Sequence, residues 1–380
     1  MATVSRARAR NEIVRLVHRS TGQRRLAWDV LRVLNRAVAF DGAYLLSVDP
    51  ATVLPTGRIV SYAVDLDLTP RLIEIELREP DFIKFSALAR RGRPAASLSE
   101  ATGGDLEQSI RYRELCRPNG FEDQVRVVCS DSTGTWGALC LLRESGRPHF
   151  EASEVGFLAS LAPLLAEGLR RAVILDEVAT ADQPSSCVVV LAPDNSVQTT
   201  TAGAARWLAH LAAGDTPGQE LPVAVLAVAA RARRLASDHH TDPGEREPLS
   251  DTFARARVCA RDGSWVTVRA SVLGDGPDSS VAVLMDQTSP HELAPLIAVT
   301  YGLTDRERCV TELVAQGLST NEIGQRLHLS AYTVQDHLKS MFDKTGAGSR
   351  GELVARLFFD HYAPRLLTPP RAEELVGADI

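Results

Sequence analysis

Gln335, Asp336 and Lys339 bring an amide, a carboxylate and an ammonium within five consecutive positions. An amide donates and accepts hydrogen bonds, a carboxylate only accepts and an ammonium only donates. Such a trio can tell one pattern of donors and acceptors from another. No catalytic constellation accompanies it.

Other chemistry is thinner. A phosphate-binding loop needs Gly-Lys-Ser/Thr; the only lysines, Lys84, Lys339 and Lys344, have no Gly before them. The chain opens with no acidic pair at a strand end of the kind a phosphorylated receiver uses. His239 and His240, beside Asp238 and Asp242, have the side chains of a metal site but no regular scaffold. A solvated loop is the plainer reading, and no metal or cofactor is expected. The six cysteines (Cys116, Cys129, Cys140, Cys187, Cys259, Cys309) show no Cys-x-x-Cys spacing, and most fall in apolar runs. Buried free thiols suited to a reducing cytoplasm are expected. Cys129 and Cys140 could sense oxidants, but nothing basic adjoins them to lower a thiol pKa.

The elements that must position the trio are four short helices. Thr304 with Glu307, Ser319 with Glu322, and Ser349 with Glu352 form three Ser/Thr-x-x-Glu capping boxes. Ser330 starts a further helix with its hydroxyl alone, and Gly317 sits where the first would end in a left-handed cap. Apolar residues recur at helical spacing. They are Cys309, Val310, Leu313 and Val314, then Ile323 and Leu327, then Val334, Leu338 and Met341, then Leu353, Val354, Leu357 and Phe358. Only His328, Leu329 and Ser330 separate the second helix from the third, the tight turn of a helix-turn-helix.

The segment resembles the LuxR/FixJ-type DNA-binding domain of bacterial regulators. The resemblance rests on Leu303-Thr304-x-Arg306-Glu307, Gln316-Gly317-Leu318-Ser319, Asn321-Glu322-Ile323, Leu327-x-Leu329-Ser330, Thr333-Val334-x-x-His337-Leu338, Lys344-x-Gly346 and Arg350-x-Glu352-Leu353-Val354. Thr345-Gly346-Ala347 departs from the apolar pair that the family commonly has around that Gly. The resemblance implies that the third helix, from Ala331 to about Thr345, enters the major groove. Gln335, Asp336 and Lys339 then take the family's base-reading positions. Gln suits adenine, Asp the cytosine amino group and Lys guanine. Asp336 is a departure that would repel phosphate unless it finds a donor or pairs with Lys339. Ser330, Thr333, Lys344 and Arg350 are assigned to phosphates, as residues that position rather than specify.

Charge qualifies this picture. The 380 residues carry a net charge of −6, and 304–362 holds seven basic against eight acidic residues. Weak nonspecific affinity and a need for dimerisation are expected. The length suits two or three domains. No signal peptide is expected, and no apolar run is expected to approach the ~18–20 residues that span a membrane.

Upstream, an Arg-rich helix (Arg6, Arg8, Arg10, Arg15, Arg19) reads as solvated, pairing with a partner or packing on the next domain; a basic arm for DNA or anionic lipid is the other reading. An amphipathic helix over 26–38, strands at 43–48 and 58–64, helices at 72–77 and 82–88, a loop over 92–105, a helix over 106–116 and a hairpin of 124–129 with 135–143 follow. A closing helix over 151–178 has Val155, Leu158, Leu161, Leu165, Leu169 and Val173 at heptad-like spacing. The stripe suits domain core or a parallel dimer helix. The order resembles a GAF domain, with Gly134–Arg143 and Phe150–Val155 the closest segments. After a linker at 181–186, strands at 187–191 and 197–200, helices at 202–213 and 223–235, a hairpin across Asp262-Gly263 and a strand at 281–285 resemble a PAS domain.

The expected fold class is multidomain α+β: GAF-like then PAS-like antiparallel-sheet sensors, followed by an all-α helix-turn-helix domain. The expected divisions are 1–23, 24–178, 185–289, 298–363 and a tail at 364–380. The expected function is a non-enzymatic, cytoplasmic transcriptional regulator. Its expected partners are double-stranded DNA, a second copy of the chain and an unknown small-molecule effector, with RNA polymerase left open and no membrane. A sensor-regulated enzyme or signalling protein, whose helix-turn-helix serves protein contacts, is the alternative.

Overall fold

The computed structural model describes residues 5–19, 22–175, 186–211, 221–238, 254–260, 264–274, 279–288 and 290–359. The linker at 181–185, the His239-His240 loop, the Asp262-Gly263 turn and the tail lie outside them. The chain divides into two compact units, 1–287 and 288–380.

The first unit opens with helices α1 (Arg6–Val17) and α2 (Gln23–Ala37). Strands β1 (Gly42–Val48) and β2 (Pro55–Tyr62) follow, then α3 (Thr69–Leu77) and α4 (Phe85–Arg90). Next come β3 (Ala95–Ser97), α5 (Leu98–Ala101), the hairpin β4 (Phe121–Asp131) and β5 (Gly134–Glu144), and the 24-residue α6 (Ala152–Leu175). The strands form one antiparallel sheet in the order β2-β1-β5-β4-β3.

Both faces of this sheet are covered, so β4 and β5 are near-continuously buried rather than alternating. Leu45, Cys129 and Leu139 meet Leu26 and Val30 of α2 and Leu165 and Leu169 of α6. Tyr44, Leu46, Ala138 and Cys140 point the other way, towards Phe85, Leu88 and Leu106. Val155, Leu158, Leu161, Leu165 and Leu169 of α6 are buried. The stripe read as core or dimer helix is thus core here. Ala152–Val173 does have the length and mean hydropathy (1.2) of a membrane span, which corrects the expectation that no apolar run approaches that length. The Arg-rich α1 packs on α6: Ala9 and Ile13 are fully buried, while Arg6 and Arg10 donate to the carbonyls of Ser153 and Ser160 at 3.0 and 3.1 Å.

Two local expectations are corrected. The segment 92–105 is not all loop. Ala95–Ser97 pairs with β4 as an edge strand, and Ser97 caps α5 by accepting from Glu100 N–H. Ala and Ser carry no strand signature, so register rather than propensity decides the element. The single helix over 106–116 is instead a 3-10 turn at Leu106–Gln108 and a π-helix at Tyr112–Cys116.

The second sheet comprises β6 (Cys187–Leu191), β7 (Val197–Thr200), β8 (Arg255–Cys259), β9 (Trp265–Leu273) and β10 (Ser280–Gln287), with α7 (Ala204–Leu211) and α8 (Val223–Asp238) between β7 and β8. Its order, β7-β6-β10-β9-β8, repeats the connectivity of the first sheet. Alternation is clean in β6 and β10, because helices cover one face only: Cys187, Val189, Leu191, Val281, Val283 and Met285 point inward. Helix α8 is apolar all round over Val223–Ala230 and buried throughout, as expected of a helix packed on opposite sides. It shares one core with the second sheet, with Leu54 of the β1–β2 turn and with Ile73 and Leu77 of α3. Asp49 Oδ2 accepts from the backbone N–H and Nε of Arg257 at 2.7 and 3.0 Å, and Oδ1 from Nη2 at 2.9 Å.

The second unit is all-helical: α9 (Pro290–Thr300), α10 (Asp305–Ala315), α11 (Thr320–Leu327), α12 (Ala331–Thr345) and α13 (Arg350–Val354), the last continuing as a π-turn to Phe359. Helix α9 has no counterpart in the sequence reading. It adds Leu293, Leu296 and Ile297 to the buried set that includes Val310, Ile323, Val334, Met341, Leu353 and Leu357.

Candidate nucleic-acid interface

Capping chemistry sets the helix starts. Thr304 and Glu307 exchange backbone hydrogen bonds reciprocally, as do Ser319 and Glu322. The third box is half-formed. Ser349 accepts from Glu352 N–H, but Glu352 Oε2 accepts from Gly348 N–H at 2.9 Å. Ser330 accepts from Thr333 N–H at 3.0 Å, and the two hydroxyls lie 2.8 Å apart. Each helix start therefore has one of its free donors satisfied.

The turn between α11 and α12 is fixed by backbone geometry. His328 adopts φ 55°, a left-handed conformation that His tolerates better than most residues. Leu329 N–H donates to Gly324 O at 2.8 Å. A Cβ at Gly324 would stand 2.7 Å from the Leu329 carbonyl oxygen. The close approach of the turn to α11 thus needs Gly at 324. Gly317, at φ 83°, ends the α10 turn in the expected left-handed conformation.

On α12, Val334, Leu338 and Met341 face inward, while Gln335, Asp336 and Lys339 are exposed together. Among the described residues no ion pair joins Asp336 to Lys339. Ser330 and Thr333 stand at the helix start, bound to each other. Lys344 and Arg350 are engaged inside the domain. Lys344 Nζ lies 2.9 and 2.6 Å from the two oxygens of Glu307, and Arg350 Nη2 donates to Leu318 O at 2.5 Å. Glu307 is buried and also accepts from Ser340 Oγ at 2.7 Å. Burial pushes its carboxyl up, but the bonds from Lys344, Ser340 and Thr304 outweigh that and hold it below the usual range.

Sequence reasoning missed Tyr332, whose side chain is 74% exposed one turn before Asp336. A large aromatic on the polar face of a first helical turn was the available signal. Cys309, placed on the inner face of α10, is exposed. Cys116, Cys129 and Cys140 are buried. Burial pushes Cys116 and Cys129 up to about 12. It also raises Cys140, despite the opposing charge of the nearby Arg126. Among the described residues no group of three or more His, Cys, Asp or Glu could hold a metal.

Residues 302–357 match the pattern of the bacterial regulatory proteins of the luxR family. The chain is 29% identical over 128 residues to the transcriptional regulatory protein DesR of Bacillus subtilis, covering 32% of this chain and 64% of DesR. It is 43% identical over 89 residues to the transcriptional regulatory protein UhpA of Escherichia coli, covering 22% of this chain and 45% of UhpA. The chain thus spans less than two thirds of these curated relatives. Among solved structures, a GAF domain/HD domain protein from Geobacter sulfurreducens aligns at TM-score 0.32 and 17% identity, over 41% of this chain and 98% of that one. The Vibrio cholerae VqmA dimer aligns at TM-score 0.19 and 16% identity, over 46% of this chain and 82% of that one. Matched in pattern and built on two reciprocal capping boxes and a glycine-tight turn, residues 302–357 are a luxR-family helix-turn-helix domain.

Proposed function

We propose that the chain is a DNA-binding transcriptional regulator. The observation that carries this reading is the exposed stripe of Gln335, Asp336 and Lys339 on the second helix of a tight helix-turn-helix of the luxR family. In this reading α12 lies in the major groove, and the three side chains meet base edges. Ser330 and Thr333 position the helix start against phosphate. Lys344 and Arg350 reach phosphate only by sharing or exchanging their partners Glu307 and Leu318 O. Tyr332 joins the same face.

Dimerisation, a cytoplasmic setting and control by a small molecule belong to the same reading, as do domain divisions near 24–178, 185–289 and 298–363. The near-neutral charge of the helix-turn-helix supports pairing, since one copy offers few net phosphate contacts. The relatives' description as transcriptional regulatory proteins supports the cellular role. The test is selection of bound sequences from random duplex DNA by the full chain, followed by titration of the selected operator and a scrambled control. Equal affinity for both, or none for either, would refute it.

A further inference from the structure

Tyr332 stands on the first turn of α12 and is 74% exposed. The other large hydrophobic residues exposed on the described surface lie between 38% and 50%. Among the described residues no ring stacks on Tyr332, no cation sits over it and no group hydrogen-bonds its hydroxyl. Packing within the domain therefore does not account for it. Nor does helix formation, because an aromatic side chain loses rotamer freedom against the preceding turn and forms helices less well than Ala, Glu or Lys.

Helical winding fixes its place. At about 100° per residue, Tyr332 falls about 20° from Lys339 on one side and about 40° from Asp336 on the other, with Gln335 about 60° away beyond Lys339. The buried Val334, Leu338 and Met341 lie across the helix. Tyr332 is thus inside the exposed polar stripe, between two of its members, and is the one residue of the four with a broad apolar surface.

The partner chemistry follows from that place. The amide, carboxylate and ammonium around the ring match donors and acceptors on base edges. A phenol ring matches an apolar group instead, and the major groove displays one, the 5-methyl group of thymine. Polar groups for phosphate already stand at this helix start, where the hydroxyls of Ser330 and Thr333 lie 2.8 Å apart. The ring, not a further hydroxyl, is what Tyr332 adds.

We propose that Tyr332 is a specificity-determining residue that selects thymine by packing its ring on the 5-methyl group. This rests on the DNA-binding reading above and gives the stripe a fourth, apolar contact. The contact uses no donor or acceptor, so its loss relaxes the preference at one base position and leaves the hydrogen-bonded positions as they were.

The experiment takes the operator that the full chain selects from random duplex DNA and replaces each thymine in turn by deoxyuridine. That change removes the methyl group and keeps every donor and acceptor of the base pair. One replacement should weaken wild-type binding about fourfold, the equivalent of one methyl group withdrawn from burial. Tyr332→Ala should bind the intact operator at least about fourfold more weakly and be indifferent to that replacement. Tyr332→Phe should behave as the wild type. Tyr332 is exposed, so both variants should melt with the wild type. Three results overturn the proposal: no thymine whose methyl group matters, a methyl dependence that survives in Tyr332→Ala, or a Tyr332→Phe loss equal to that of Tyr332→Ala, which would assign the hydroxyl to phosphate. Failure to select any operator is a different result, since it refutes the DNA-binding reading and this proposal with it.

Discussion

Lys344 Nζ stands 2.6 Å from Oε2 of Glu307, 37 residues earlier in the chain. The same carboxylate closes the capping box of α10 by accepting from Thr304 N–H at 2.7 Å. One buried side chain thus starts α10 and anchors the far end of α12.

Glu307→Gln should therefore cost about 2–3 kcal/mol of stability at neutral pH, since it removes a charged acceptor from several donors. The pH dependence follows from the depressed pKa of Glu307. Its contribution is full above the unfolded value of about 4.3 and is lost as pH falls through the lower folded value. Thermal unfolding from about pH 7 down to pH 3 should show the variant losing less on acidification than the wild type. Parallel curves would assign the effect to another group.

Gln335→Ala and Lys339→Ala should lower operator affinity by about 1–3 kcal/mol each and leave scrambled DNA unaffected. Equal losses on both DNAs from Gln335→Ala would end its base-reading role. Lys344→Ala should weaken both DNAs alike and also lower the melting temperature, because its ammonium neutralises Glu307.

Gly324→Ala should destabilise the second unit by about 1–3 kcal/mol, the usual cost of forcing atoms into a packed contact. The added methyl meets the Leu329 carbonyl at 2.7 Å, and backbone cannot swing aside as a side chain would. Calorimetry would read the loss. An unchanged melting temperature would mean that the turn relaxes freely.

Asp49→Ala leaves Arg257, whose side chain is 11% exposed, without its carboxylate. Breaking such a pair costs about 3–5 kcal/mol. Limited proteolysis should then cut between the sheets faster than in the wild type. Cleavage at the wild-type rate would show that the shared apolar core holds them unaided.

The helix-turn-helix was legible because its signals are local: a hydroxyl and a Glu three residues apart, a Gly at a helix end, apolar residues at 3.6 spacing. The failures are instructive in the same terms. Glu352 matches the box, but it turned to Gly348 N–H, a nearer competing donor that no motif counts. The strand at 95–97 was invisible because Ala and Ser have no strand preference until β4 lies beside them. Distance in sequence hid the rest. Nothing around Asp49 points to Arg257, 208 residues away, and nothing around Lys344 points to Glu307. The exposure of Gln335, Asp336 and Lys339 followed from helical phase; the partners of Lys344 and Arg350 did not.

Helix α8 lends its apolar surface at once to the second sheet and to α3 with the β1–β2 turn of the first layer. A chimaera cut between α6 and β6 would strip Leu54, Ile73 and Leu77 of their cover and leave bare alanine and valine on the other fragment. Residues 1–287 form one compact unit, and cutting it there exposes apolar surface on both fragments. An engineer seeking to exchange one sheet layer for another must carry both.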